Sequence, residues 1–367
     1  MSGVPLISSD RAAADSVTTS GGAPGAMDAG MTECVAVVIP TYNAASTIVD
    51  VITSIGPEVQ LIIVVDDKCP GASHQVVADN VRDPRVVVLR HEVNQGVGGA
   101  VLTGIEEALR RNATIVVKLD SDGQMDPVLI PNLIRPIAYG QADYVKGNRF
   151  FFLSHASQMP AARLLGNLAL SFMTKLSTGY WDVMDPTNGF VALQADVARQ
   201  LPLERIARRY FFESDMLFHL GLLRAKVVDF PMRAKYADEV SNLRISRIFG
   251  PFLRGHIRNM MLRLLYKYFI RDFSVASVEL VLGIVLFLFG LAFGTHVWIA
   301  SAVTGSLATT GAIMLAAVPL LLGFQLLLAF LSYDIQTRPR EPLFPLLRGT
   351  LPERRQHRAA PAGDPTS

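Results

Sequence analysis

Asp120 and Asp122 stand one residue apart in Ile115-Val-Val-Lys-Leu-Asp-Ser-Asp-Gly-Gln-Met-Asp-Pro127. Carboxylates this close repel unless a cation lies between them, and hard oxygen donors favour Mg²⁺ or Mn²⁺. A solvated acidic turn, capped by Asp122 and stopped by Pro127, is the plainer reading of the same residues. A second acidic group lies in Arg209-Tyr-Phe-Phe-Glu-Ser-Asp-Met-Leu217. Acids in a helix's first turn suit the helix dipole. Carboxylates among Phe211, Phe212 and Phe218 also sit in an apolar setting that shifts pKa values.

The elements that must position these groups follow from periodicity. Val35–Pro40, Leu61–Val65, Val86–Leu89 and Ile115–Leu119 are apolar, β-branched runs closed by turn formers. Such runs fit interior strands of a parallel sheet. Helical stretches alternate with them at Ala44–Ile55, His74–Val81, Ala100–Arg110 and Pro131–Tyr139. The fold class is therefore α/β with a mostly parallel sheet. Asp120 and Asp122 fall at a strand's C-terminal end, where open α/β sheets present ligand-binding groups. Gly96, Gly98 and Gly99 do not make a dinucleotide fingerprint, since Val101 stands at the last glycine and they follow the third strand. They suit either phosphate or close packing.

The chain has 367 residues, half of them apolar, enough for more than one domain and a sizeable core. Its net charge of +2 gives no general argument for nucleic acid as a partner. Cys34 and Cys69 are too few for a disulfide framework and read as buried thiols in a reducing compartment. Residues 1–33, rich in Ser, Ala, Gly and Asp, read as a disordered leader without the features of a signal peptide.

Four segments occur in order: Val38-Ile-Pro-Thr-Tyr-Asn43, Val64-Val-Asp-Asp67, Asn94-Gln-Gly-Val-Gly98 and Leu119-Asp-Ser-Asp-Gly-Gln124. Together they resemble a family 2 glycosyltransferase of the polyprenyl-phosphate, dolichol-phosphate mannosyltransferase-like branch, over roughly residues 34–335. The resemblance implies a GT-A fold, Rossmann-like with a mostly parallel sheet. It also implies inverting transfer from a nucleotide-diphosphate sugar, GDP-mannose or a UDP-hexose, to polyprenyl phosphate. Pro40, Tyr42, Asp66, Asp67, Asn94, Gly96 and Asp120 then match nucleotide-sugar contacts, with Pro40, Tyr42 and Asp67 at base and ribose. Asp120, Asp122 and Gln124 match the site for Mg²⁺ or Mn²⁺. A bound divalent cation stabilises a departing diphosphate without needing an acid.

Arg149, in Tyr144-Val-Lys-Gly-Asn-Arg-Phe150, matches the arginine that meets the acceptor phosphate, with Arg163 second and Ser241 in the loop near the acceptor. An arginine fork suits phosphate geometry. Asp185, ahead of Gly189-Phe190, and Asp215, with Glu213 as rival, complete the catalytic set with Asp122. Two positions depart from the family pattern: Ala44 replaces a common Glu and Val191 a common Arg. A lipid phosphate is already an anion at neutral pH, so Asp185 and Asp215 are expected to orient groups or complete the metal shell.

The second half is read from physics alone. A mean hydropathy of +0.32 over this length points to membrane segments. Residues 241–273 repeat apolar side chains at helical spacing, interleaved with Arg244, Arg247, Arg254, Arg258, Arg263, Lys267 and Arg271. That pattern describes amphipathic helices in an anionic lipid surface, broken in two at Gly250-Pro251. Residues 275–299 and 311–332 are each long and apolar enough to cross a bilayer, within a membrane unit spanning 274–334. The positive-inside rule puts the catalytic domain (34–240) and both termini in the cytoplasm. Residues 335–367 form a basic, Pro-rich tail, expected to be disordered after Pro345. The apolar spans leave surface for lipid or for a second protomer. A processive polysaccharide synthase and a non-catalytic nucleotide-sugar-binding membrane scaffold are the alternative readings.

Overall fold

The computed structural model describes residues 33–151, 161–232 and 245–348. Seven strands form one sheet: β1 Val35–Thr41, β2 Leu61–Asp66, β3 Val86–Arg90, β4 Ile115–Lys118, β5 Tyr144–Asn148, β6 Val191–Gln194 and β7 Val227–Pro231. Their order is β3-β2-β1-β4-β6-β5-β7, and β6 alone runs antiparallel to both neighbours. β1, β2 and β4 are buried along their whole length, which explains their unbroken aliphatic sequences. The register pairs Thr41 with Asp66 and Val38 with Lys118. The polar residues ending these strands therefore share one edge.

Helices cover both faces: α1 Ile48–Thr53, α2 Ser73–Asn80, α3 Val97–Arg110, α4 Ile130–Ala138, α5 Ala161–Thr178, α6 Ala195–Ala198 and α7 Phe212–Leu223. One core cluster joins the sheet to α3 and α7, another joins it to α1 and α4. The first helix is shorter than the expected Ala44–Ile55. Asn43 has φ +55°, and residues 44–47 are spent in a turn in which Thr47 and Ile48 both donate to Ala44 O.

Beyond β7, α8 runs from Ile245 to Leu265 without interruption. The expected division at Gly250-Pro251 is absent. Pro251 stands inside the helix and forfeits one i→i−4 hydrogen bond without ending it. The departure from α geometry comes later, in a π-turn at Tyr266–Arg271. The helix is also inverted relative to a soluble core helix. His256, Asn259 and Arg263 are buried, whereas Ile257, Met261, Leu262 and Leu265 are exposed. On α5, Leu165, Leu168 and Phe172 are likewise exposed. Thus not all of the expected cationic face meets the surroundings, because Arg263 and Lys267 are paired inside the protein.

α9 Val275–Thr304 and α10 Thr310–Gln336 are long and apolar enough to cross a membrane, and their most apolar windows are only 28% and 11% buried. Core helices of a soluble protein would be mostly buried. Small residues let the pair approach: a Cβ on Gly290 would lie 2.6 Å from Leu320 N, and one on Gly323 would collide with the Phe287 backbone.

The chain then returns to the sheet. α11, Phe344–Arg348, packs beside α6, and Phe344 is buried in the core. The Asp143 carboxylate accepts from Leu343 N at 2.7 Å, Phe344 N at 2.9 Å and Lys226 N at 2.7 Å. The expected disorder after Pro345 is therefore corrected as far as Arg348. The Arg/Pro-rich composition concealed a short apolar anchor with a buried carboxylate waiting for it.

Candidate active site

Asp120 follows β4, and its Oδ1 lies 2.8 Å from Lys118 Nζ. The same ammonium lies 3.4 Å from Glu213 Oε1, in the first turn of α7. Lys118 is buried; burial opposes its charge, but Asp120 and Glu213 outweigh that and raise its pKa above the ordinary lysine value. A Cβ on Gly189 would collide with Lys118 Nζ and Asp120 Oδ2, so glycine there leaves room for the pair. Asp122 Oδ1 accepts from Gln124 N at 2.9 Å, and Gly123 between them has φ +75°. Thr47 Oγ1 donates to Ser121 O at 2.6 Å, tying the start of α1 to this acidic loop.

No cluster of three or more His, Cys, Asp and Glu side chains suited to a metal occurs among the described residues. Asp120 and Asp122 offer hard oxygens from two residues. That donor set fits Mg²⁺ or Mn²⁺ taking the rest of its shell from phosphate and water. Gln124 contributes its backbone N–H to the loop.

At the end of β2 the two aspartates are engaged in shaping their own neighbourhood. Asp66 accepts from Cys69 N at 2.7 Å and His74 N at 3.0 Å, and its Oδ2 is 2.7 Å from His74 Nδ1. Burial opposes its charge, but these bonds hold its pKa below the usual carboxylate value. Asp67 Oδ1 meets His91 Nδ1 and Gln95 N, both at 2.8 Å, and Oδ2 accepts from Gly96 N at 2.7 Å. Asn94 Nδ2 donates to Asp67 O. Asp67 therefore organises the glycine loop. The loop glycines in turn admit the 207–212 segment: a Cβ on Gly98 would lie 2.6 Å from Ala207 O and 2.7 Å from Phe212 Cβ. Close packing accounts for these glycines. Pro40 is buried at the end of β1, whereas Tyr42 is 52% exposed beside it, an aromatic ring left open at this edge.

Arg149, after β5, forms a bidentate pair with the fully buried Asp185: Nε to Oδ2 at 2.7 Å and Nη2 to Oδ1 at 3.0 Å. Asp185 thus fixes an arginine fork. Asp215 is placed otherwise. Its Oδ2 accepts from Ala207 N and its Oδ1 from Asn259 Nδ2, both at 2.8 Å, so it fastens α7 to the 207 loop and to α8. Of the two acids on this helix, Glu213 is the one that joins the Lys118–Asp120 group. The turn of a helix separates their directions. The side chain of Arg163, and Ser241 with the rest of 236–243, lie outside the described residues.

Two buried lysines complete the charge pattern, and periodicity alone did not single them out. Lys146 donates to Asn188 O, and burial lowers it to about 8, partly offset by Glu213 and Asp185. A lysine inside an apolar strand, at Val117-Lys118 and Val145-Lys146, was the available signal. A third group sits at the membrane side. Asp334 on α10 accepts from Arg263, Lys267, Tyr268 and Trp181 at 2.6–3.0 Å, joining α10 to α8, to the π-turn and to the catalytic domain.

Residues 36–201 match the family model described as glycosyl transferase family 2. The chain is 29% identical to the UDP-N-acetylglucosamine–dolichyl-phosphate N-acetylglucosaminyltransferase of Methanococcus voltae, over 55% of this chain and 85% of that one. It is 28% identical to the undecaprenyl-phosphate mannosyltransferase of Micrococcus luteus, over 53% and 81% respectively. Among solved structures, glucosyl-3-phosphoglycerate synthase from Mycobacterium tuberculosis is similar with a TM-score of 0.48 at 21% identity, covering 63% of this chain and 80% of that one. The family 2 glycosyltransferase match thus falls on the mostly parallel α/β sheet. The protein is a glycosyltransferase.

Proposed function

We propose that this enzyme moves one sugar from a nucleotide-diphosphate sugar to polyprenyl phosphate. The observation that carries the reading is the pairing of two phosphate-suited devices in a domain whose outward helices are apolar. One is the acidic Asp120-x-Asp122 loop held by Lys118; the other is the Arg149 fork held by Asp185. The names of the similar proteins, which include dolichyl and undecaprenyl phosphates, support the lipid acceptor. Whether the donor is GDP-mannose or a UDP-hexose is left to assay.

Asp120 and Asp122 would hold Mg²⁺ or Mn²⁺, which neutralises charge growing on the departing diphosphate. Tyr42 would stack the nucleotide base, and Asp67 would hold the loop through Asn94 and Gly96. Arg149 would align the acceptor phosphate with two parallel N–H donors. Since that phosphate is already anionic, no group is required to remove its proton, and Asp185 serves to aim Arg149. Lys118 holds Asp120 in place while Glu213 shares the ammonium.

α9 and α10 would span the membrane as a hairpin, with α5 and α8 lying in its surface and residues 34–240 forming the transferase domain. Arg338, Arg340 and Arg348 after α10, with the cations of α8 before α9, support a cytoplasmic side for the catalytic domain and both hairpin flanks. A second copy or lipid would cover the exposed apolar faces.

The test is transfer of radiolabelled sugar from GDP- and UDP-sugars to undecaprenyl phosphate, with Mg²⁺ or Mn²⁺, for wild type and Asp122→Ala. A single lipid-linked sugar, lost in the variant and in EDTA, is expected. Nucleotide binding without any product would overturn the reading in favour of the scaffold.

A further inference from the structure

A cavity of about 330 Å³ lies where the catalytic domain meets the hairpin. Its walls come from the C-terminal ends of α5 and α7, from the π-turn, and from Ser274 and Thr337 flanking the two apolar helices. Arg224, Arg263, Lys267 and Arg271 line it against a single acid, Asp272. Asp334, which binds Arg263 and Lys267, raises the acids to two against four cations.

Helix capping explains part of this charge: Arg271 donates to Leu222 O and Arg263 to Leu176 O, each at 2.8 Å. Asp334 and Thr337 take further donors of Arg263 and Lys267, and some donors are left over. Arg263 is 4% exposed, and its Nε has no partner. Arg224, at the left-handed C-cap of α7, makes no side-chain hydrogen bond or ion pair among the described residues. Burial lowers Lys267 despite Asp334, with Arg263 and Arg224 adding to the effect. Like charges are thus crowded around a space large enough for a ligand. A π-turn, a form frequent at functional sites, supplies Tyr266, Lys267, Tyr268 and Arg271 to the wall.

The cavity is separate from the acidic loop. Glu213, in the first turn of α7, reaches Lys118, whereas Leu222 and Arg224 at the other end line the cavity. Nine residues of helix put roughly 14 Å between those two levels. The cavity lies where α9 begins and α10 ends, and Tyr266, Tyr268 and Tyr333 are in its wall. Tyrosines gather at headgroup depth, and basic pockets at that depth suit anionic headgroups.

The geometry points to a binding site here for the phosphate headgroup of an anionic membrane phospholipid, distinct from the acceptor lipid. The guanidinium forks of Arg224 and Arg271 would take the phosphate oxygens. The inference rests on α9 and α10 crossing the membrane.

The test is native mass spectrometry of the full chain in detergent, with phosphatidylglycerol and phosphatidylcholine added in equal amounts. Undecaprenyl phosphate and inorganic phosphate are added as separate competitors. Wild type and the control Arg82→Gln, an exposed cation beyond α2 and outside the cavity, should keep one phosphatidylglycerol per chain in preference to phosphatidylcholine. Arg224→Gln with Arg271→Gln should weaken that retention about tenfold. Equal retention in wild type and variant, or of both phospholipids, would overturn the proposal. So would displacement by inorganic phosphate or a preference for undecaprenyl phosphate. A chain that does not partition into phosphatidylglycerol vesicles would instead defeat the spanning hairpin, a separate failure.

Discussion

Arg149 and Asp185 meet fork to fork, with Nε 2.7 Å from Oδ2 and Nη2 3.0 Å from Oδ1, and the carboxylate is fully buried. An arginine that is 30% exposed is thereby held in one orientation by an aspartate that water does not reach. Replacing Arg149 with alanine would strand a buried charge and should cost about 3–5 kcal/mol of stability. Arg149→Lys keeps the charge and loses the fork. In the transfer assay it should lower activity by about 10²-fold, chiefly as a raised KM for the lipid phosphate.

Lys118 occupies one oxygen of Asp120. Lys118→Met removes a cation that competes for that carboxylate. Mn²⁺ should then bind several-fold more tightly to the nucleotide-free protein, read by electron paramagnetic resonance. The folded state should lose about 3 kcal/mol, because Asp120 and Glu213 are left without their shared partner.

The glycines offer a paired comparison. Gly98→Ala drives a methyl to within 2.7 Å of Ala207 O and Phe212 Cβ, and should lower stability by about 1–3 kcal/mol through overpacking. Gly166→Ala, exposed in α5 with nothing within 4 Å, should raise it by about 0.5–1 kcal/mol. Thermal unfolding in one detergent would show opposite shifts.

Asp334→Ala should loosen the hairpin from the catalytic domain. Arg263 and Lys267 would remain without their carboxylate, a loss of about 3–5 kcal/mol. Trp181, whose Nε1 donates to Asp334 at 3.0 Å, should report it by a shift in fluorescence.

Asp229 gives a pH dependence. Burial raises its pKa to about 6 from 3.8, and its Oδ1 has no hydrogen-bond partner among the described residues. The folded chain holds this proton more tightly than the unfolded one. Its stabilising contribution is full below pH 3.8 and is lost as pH rises through about 6. Between roughly pH 4 and 7, the melting temperature of wild type should fall relative to Asp229→Asn.

Strand positions were legible in the sequence because burial on both faces demands unbroken aliphatic runs, as in Val35–Ile39 and Ile115–Val117. The acidic loop stands out by its own spacing, whereas Arg149 stands out only through the resemblance of its segment to the family. Residues whose meaning depends on a distant partner were harder to read. Asp215 looked like a site carboxylate from its aromatic setting, yet its partner Asn259 lies on α8. Lys118 interrupts an apolar strand, and only the fold brings Glu213 across to meet it. Pro251 reads locally as a helix breaker, but α8 carries it as an interior proline, held by contacts to α5 and α7 that lie far away in sequence.

Asp143 binds the start of β7 through Lys226 and the residues after α10 through Leu343 and Phe344. Topologically, the apolar hairpin of α9 and α10 is therefore an insertion within the α/β domain, whose last structural piece is made after both helices. Cutting the chain beyond Gln336 would remove Phe344 from the core and leave a buried carboxylate with two donors fewer. A soluble catalytic fragment is better sought by joining the chain across the hairpin, so that α11 stays, than by truncation. The same closure ties the sheet to both ends of the hairpin, so it does not swivel freely on a single tether.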